Sequence, residues 1–355
     1  MKVVTDLSVS SARHRPVGPS TPWYTPWNSP ISATIPGLVL DFATGVYGLG
    51  GALGPLESSV SLTRSTDGTR IDAAGAIEVL GPNVARIDHD PLTLAPIGLL
   101  LEGARTNLFT QSDAPLTQTI SLAAVPHVIS FYGGGSVTLS GTFTGVATGT
   151  GAFPSRTELL FTPSAGDLTV TLAGNVASPQ LEEGDVASSY IPTTALATLR
   201  DDDITSVTLG PWFSTSQGTL VFEGSLDSAL ANDRIIEIDG GATTTRISVL
   251  WNSVLGLPQF QVWEAGALQA AIAPPGNSIV LGSPFRVAIA YAANDFAVSL
   301  NGSAVASDAS GVMPTGLTTL RLGRSVWGAQ GLMLAEGVTY YPTRLSNAEL
   351  QALSA

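Results

Sequence analysis

Glu237 and Asp239, in the run EIDGG, stand two residues apart between β-branched neighbours. Successive side chains of a strand point to opposite faces, so this spacing places both carboxylates on one face. A close pair of carboxylates is what glycoside hydrolysis uses, one as acid and the other as nucleophile or base. Gly240, Gly241 and Ala242 follow and bring no further acid, so hydrolysis at this strand is not expected and the chain is not read as an enzyme. The other reactive groups are scattered. His14, His89 and His127 are isolated in the sequence, and the DHD of Asp88 to Asp90 reads as a loop with solvated carboxylates rather than a metal site. The run Asp201 to Asp203 offers oxygens to calcium, yet that ion takes about six to eight of them and one short run supplies too few. No metal and no cofactor is therefore expected. The glycines of YGLGGALGP lack the spacing of a phosphate cradle, and no G-x-S-x-G elbow exists for a serine hydrolase.

Aromatic rings are the remaining groups with recognition chemistry. The apolar face of a pyranose packs well on a flat aromatic surface. Trp212, Trp251, Trp263 and Trp327 are the candidates for stacking on sugars, with Asn301 as a polar neighbour, and burial in a core or subunit contact is the competing reading for each. In QFQVWEAG, Trp263 alternates opposite to Phe260 and Val262, so one of these faces is expected to be exposed. Trp23, Tyr24 and Trp27 lie in PSTPWYTPWNSP, where proline about every fourth residue excludes helix and central strand. This segment reads as a polyproline-like arm with no core of its own. Its rings must be buried against a partner subunit or against this chain's own first domain.

The elements that hold these residues are strands. Of 355 residues 44% are hydrophobic and only 12% charged, with 38 glycines and 23 prolines, a composition of strands and turns. The net charge is −13 and Lys2 is the only lysine, which excludes a basic surface for nucleic acid. With no cysteine, disulfides, thiolate nucleophiles and cysteine-based zinc sites are excluded together. No apolar run has membrane-spanning length, and Asp6 with several serines interrupts any signal-peptide core. SVTLSGTF, TELLFTP and DLTVTLAG alternate with period two between turn clusters, as sandwich strands do. Later, FRVAIAYAANDFAVSLNG sets Phe285, Val287, Ile289 and Tyr291 on one face. Asn294-Asp295 turns the chain, Phe296, Val298 and Leu300 return, and Asn301-Gly302 signals a type I′ turn. Ser346 with Glu349 three residues on predicts a capping box and one short C-terminal helix.

Three motifs carry a family resemblance. PNVARIDHDP, then GLLLEGARTNL, then PQLEEGDVASSYIPTT ahead of LRDDD, resemble the recurrent pattern of bacteriophage and prophage tail-fibre or minor tail proteins. The matching positions include Asn83, Arg86, Asp88 and Asp90, then Glu102, Arg105, Thr106 and Asn107, then Gln180 to Glu182, Gly184 and Ser189 to Thr193. In that family the motifs bracket a carbohydrate-module-like sandwich. The final block, with GTLVFEG, the long hairpin, LRLGR and YYPTRLSNAELQAL, is similar to a laminin-G or concanavalin-type jelly roll. The EID run also resembles the E-I-D-x-x-E motif of concanavalin-type β-glucanases, but its third acid is missing.

The expectation is an all-β protein of tandem jelly-roll sandwiches. Residues 1–35 are the attachment arm, 36–116 a β-rich connector, 117–198 the first sandwich and 199–355 the laminin-G-like jelly roll. Glu102, Arg105 and Asn107 are expected to be structural, with Glu102 and Arg105 a hydrogen-bonded pair that ties connector to sandwich. The resemblance implies a virion component on tail, baseplate or head surface, assembled in the host cytoplasm. It implies binding to other virion proteins through the arm and to host-surface polysaccharide, and a homo-oligomer, with a trimer favoured. A glycan-degrading enzyme and a purely structural decoration or collar protein are the alternatives.

Overall fold

The computed structural model describes residues 34–228, 233–276, 279–326, 328 and 331–355. Trp23, Tyr24 and Trp27 of the expected arm, and Trp327, lie outside the described residues. Within them the fold is all-β, every strand pair is antiparallel, and the one α-helix is Asn347–Leu353. No helix among the described residues is long and apolar enough to cross a membrane.

Two large sheets of ten and seven strands form the C-terminal jelly roll. The hairpin read from FRVAIAYAANDFAVSLNG pairs Val287 with Leu300, Ile289 with Val298 and Tyr291 with Phe296. All six are buried in one core with Phe222, Ile238, Val249, Phe260 and Tyr340. A side chain of this size contributes about 1.5–3 kcal/mol when taken fully out of water, so the sheet-to-sheet interface dominates the stability of this unit. The intervening alanines have their own task. Ala288, Ala290 and Ala297 face outward with Val221, and Leu350 and Leu353 of the helix pack on them. Small residues let the helix approach closely, which explains why these strands are buried on both faces instead of alternating with polar residues. Ser346 caps the helix through the expected reciprocal box with Glu349.

The region 36–116 is woven into this jelly roll instead of standing apart as a connector. The long strand Met333–Tyr341 pairs along one half with Leu99 to Leu101 and along the other with Leu38 to Asp41. Leu38, Leu40, Leu99 and Leu101 bury themselves in the main core. Ser61–Thr63 similarly extends the seven-stranded sheet by pairing with Ile204–Thr208. The glycine-rich YGLGGALGP is a hairpin: Leu49 pairs with Ala52, and the two residues between, Gly50 and Gly51, have φ of 60° and 89°. Two successive positive φ angles favour glycine, which is why both turn positions carry it.

The first sandwich matches the strands read from its sequence. Gln118–Leu122, Gly166–Ala173, Ser136–Gly141 and Gly145–Thr148 form one sheet, and Thr157–Phe161, His127–Tyr132 and Ala177–Glu183 form the other. Phe131, Val137, Leu139, Phe161, Leu168 and Leu181 fill the space between them.

A buried ionic joint connects the two sandwiches, and it is where the three recurrent motifs meet. Arg86 donates to Glu102 at 2.6 Å and also to Asp203. Arg64 reaches the other oxygen of Asp203 at 2.8 Å, and Arg200 lies 3.5 Å from Glu102. All five side chains are essentially inaccessible. Burial works against the charge on Arg86, yet Glu102 and Asp203 beside it hold its pKa above the ordinary arginine value. For Arg200 burial wins over its carboxylate neighbours and lowers the pKa. Asn107, fully buried, accepts from Phe109 N and Leu181 N at 3.0 Å and donates to Ile191 O at 2.9 Å, stitching the second motif to the third. Glu102 takes Arg86 and Arg200 as its ion-pair partners, whereas the expected partner Arg105 sits half-buried against Gly184.

The acidic runs likewise serve the fold. Asp203 joins the buried network, Asp202 pairs with Arg324 at 2.5 Å, and Asp201 accepts from Ser65, so the three carboxylates diverge to separate partners. Asp88 and Asp90 are buried, not solvated: Asp88 accepts from Ile71 N at 2.6 Å and Asp90 caps the turn at Leu92 and Thr93.

Candidate functional site

The outward face of the seven-stranded sheet gathers the polar and aromatic groups that the sequence spread along several strands. Strand Leu257–Glu264 sends Phe260 and Val262 into the core and Gln259, Gln261 and Trp263 outward. These three are already joined side chain to side chain. Trp263 Nε1 donates to Gln261 Oε1 at 3.0 Å, and Gln261 Nε2 donates to Gln259 Oε1 at 2.9 Å. Asn252 on the neighbouring strand donates to the same Gln259 oxygen at 3.3 Å. Each bond removes rotamer freedom before any ligand arrives, which lowers the ordering cost of binding.

Behind this row lies a charged one. Trp263 is opposite Arg246, which is opposite Asp239; Gln261 is opposite Ser248, which is opposite Glu237. The Arg246 guanidinium stands 4.8 Å from the centroid of the Trp263 ring, a cation–π contact that holds the half-buried indole in place. Glu237 Oε2 is shared by Arg234 at 2.9 Å and Arg246 at 3.8 Å. Two guanidinium groups thus compete for one carboxylate. Burial, and then the nearby Arg234 charge, lower the pKa of Arg246 against the pull of Glu237. Ser248 Oγ and Arg246 Nε are buried with no hydrogen-bond partner among the described residues.

The carboxylate pair does share a face, as its spacing requires, but its chemistry is occupied. Glu237 and Asp239 have fully buried side chains. Glu237 also accepts from Val326 N at 3.1 Å, while Asp239 takes Arg321 Nε at 2.6 Å and Gly241 N at 2.7 Å. Carboxylates fixed as salt-bridge acceptors are placed to orient arginines rather than to trade protons with a substrate.

The other candidates fall elsewhere. Trp251 points inward with Ile247 and Val249 and is 7% exposed, so it is a core residue and not a stacking platform. Trp212, 8% exposed, meets Phe213 and Tyr340 edge-on at 5.9 and 5.5 Å in the same core. Asn301 is exposed but spent on its turn: with φ of 48°, it accepts from Arg286 N at 2.8 Å and donates to Arg286 O at 2.9 Å. Only Trp263 of the described candidates stands on an open face. Gln259 and Gln261 were missed, although the alternation QFQVW places them beside it; Arg246 was missed because its partner strand cannot be read from spacing.

No protein-family model matches the chain, and no curated protein sequence does. Among solved structures it is similar to the CBM40 module of the Ruminococcus gnavus IT-sialidase bound to α2,3-sialyllactose. That match has 18% identity and a TM-score of 0.35, over 40% of this chain and 84% of that one. It is also similar to the NanB sialidase from Streptococcus pneumoniae, at 14% identity and a TM-score of 0.36, over 42% of this chain and 26% of the other. Domain 4 of an extracellular arabinanase from Geobacillus stearothermophilus, in complex with arabinotriose, matches at 12% identity and a TM-score of 0.34, over 49% and 84% of the two chains.

Proposed function

We propose that the chain is a carbohydrate-recognition protein of a phage or phage-like particle, which adsorbs to host-surface polysaccharide through the outward face of its seven-stranded sheet. The observation that carries this reading is the pre-bonded row Gln259–Gln261–Trp263 beside Arg246. An indole offers a pyranose its flat apolar surface, and fixed amides and a guanidinium offer donors and acceptors to the ring hydroxyls. Ligand sites combine an apolar surface with a few convergent polar groups in this way. The virion setting is supported by the three sequence motifs, whose meeting point is the buried joint.

A glycan array probed with the full chain tests the reading. Binding to bacterial surface polysaccharides should weaken about tenfold, equivalent to about 1.4 kcal/mol, in Trp263→Ala and in Gln261→Ala. Retention of full binding by both variants would remove the sheet face from consideration. Purified particles, imaged with and without an antibody to this chain, test the virion setting.

A further inference from the structure

A cleft of about 530 Å³ lies where the first sandwich, the hairpin of Gly68–Ile71 with Ile77–Leu80, and the jelly roll meet. Its size falls within the range of about 300–1,000 Å³ typical of ligand clefts. We propose that this cleft is a second binding site, for a short neutral oligosaccharide, separate from the sheet face and independent of its reading.

The floor is apolar. Ile97, Leu100 and Leu332 line it, buried in a small cluster on the side of the ten-stranded sheet away from the main core. The wall is aromatic: Tyr132 and Phe153 meet edge to face at 5.3 Å, each only partly buried. Arg156 backs Tyr132, 6.0 Å from the ring centroid, and is anchored by donating to Ser188 O at 2.6 Å and Ser130 Oγ at 2.7 Å. Contacts on the ring from Phe153 and Arg156 restrict its rotamers, which lowers the ordering cost of stacking a sugar on it.

Charge selects the ligand. Of the two arginines that line the cleft, Arg156 donates to Ser188 and Ser130 as above, with its Nε buried and without a hydrogen-bond partner among the described residues, and Arg70 donates to Glu78 at 2.8 Å and Ile87 O at 3.2 Å. Facing them are four carboxylates, Asp88, Glu158, Asp185 and Asp227. The lining is therefore negative by two formal charges, four minus two, in a chain whose overall charge is −13. Anionic sugars and phosphates are repelled from such a site. Ionised carboxylates only accept hydrogen bonds, and sugar hydroxyls supply the donors. An apolar floor, a fixed aromatic wall and an acceptor-rich rim together match a neutral saccharide.

Calorimetry and saturation-transfer NMR on the full chain test the proposal, with maltotriose and triacetylchitotriose as neutral probes and trigalacturonate as the anionic one. At least one neutral trimer should bind in preference to the anionic trimer. Tyr132→Ala and Phe153→Ala should each weaken it about tenfold, or about 1.4 kcal/mol. Leu281→Arg, at an exposed position on the cleft mouth, should do the same without touching a core residue. Trp263→Ala should leave this binding unchanged. Absence of neutral-trimer binding at millimolar concentration, preference for the anionic trimer, or binding indifferent to Leu281→Arg would overturn it. Loss with Trp263→Ala alone would assign the sugar to the sheet face and also overturn the cleft.

Discussion

Ser189 donates both its amide, at 2.8 Å, and its hydroxyl, at 2.6 Å, to the carboxylate of Glu102, a residue 87 positions earlier in the chain. The same carboxylate receives Arg86 at 2.6 Å, so one side chain joins all three motif segments. It stands where the two sandwiches meet. The spacing of the motifs is thereby explained by a joint rather than by a ligand.

Glu102→Ala should be among the most damaging single changes in the protein. It strips a carboxylate from among buried guanidinium groups, and breaking a buried ion pair on one side costs about 3–5 kcal/mol. Urea denaturation followed by far-ultraviolet dichroism would show the loss as a lowered midpoint. The triple variant Arg86→Met, Glu102→Leu, Asp203→Leu, which removes charges of both signs, should fall by less than the sum of its single changes.

Trp251 and Trp263 should separate stability from binding. Trp251→Ala opens a cavity in the main core and should cost about 3–5 kcal/mol. Trp263→Ala removes an outward ring and should leave the unfolding midpoint close to the parent while glycan binding falls. A thermal melt beside the glycan array distinguishes the two.

Glu237→Gln should reduce stability without altering any polysaccharide it meets. The neutral amide removes the charge that Arg234 and Arg246 share, and that carboxylate is already committed to them. Size-exclusion analysis of polysaccharide incubated with the parent chain should show an unchanged length distribution. Shortened products from the parent and not from the variant would make the pair catalytic.

Two changes probe the scaffold. Gly98 has φ of 132°, and a Cβ there would run into the Ala335 carbonyl on the adjacent strand, so Gly98→Ala should disrupt the closing sheet and lower soluble yield. Ser346→Ala should be mild, about 1 kcal/mol for one lost helix cap. Hydrogen exchange confined to Asn347–Leu353 would register the latter.

Much of this fold was legible because its signals are local. Period-two alternation marked SVTLSGTF and the FRVAIAYAANDFAVSLNG hairpin, and the Ser346–Glu349 box marked the helix. What could not be read is long-range pairing. Nothing in LVLD or LLL names Met333–Tyr341 as their partner, so residues 36–116 looked like a connector. Tryptophans divided for a similar reason. Trp263 alternates with Phe260 and Val262 and its side could be read, whereas the inward turn of Trp251 depends on register with strands on either side. The structural role of the acidic triplet Asp201 to Asp203 could not be read because its arginine partners lie more than a hundred residues away in sequence.

The strand Met333–Tyr341 clasps segments made far earlier by the ribosome, at Leu38–Asp41 and Pro96–Leu101. Each early segment finds one neighbour close by in sequence, but its other edge must wait unmatched, and its leucines wet, until nearly all the intervening chain has emerged. Such non-local closure is slow and leaves sticky intermediates exposed. Translation that halts before Met333 should therefore yield material for proteases or chaperones, so that only chains carrying their late strand would reach the folded state.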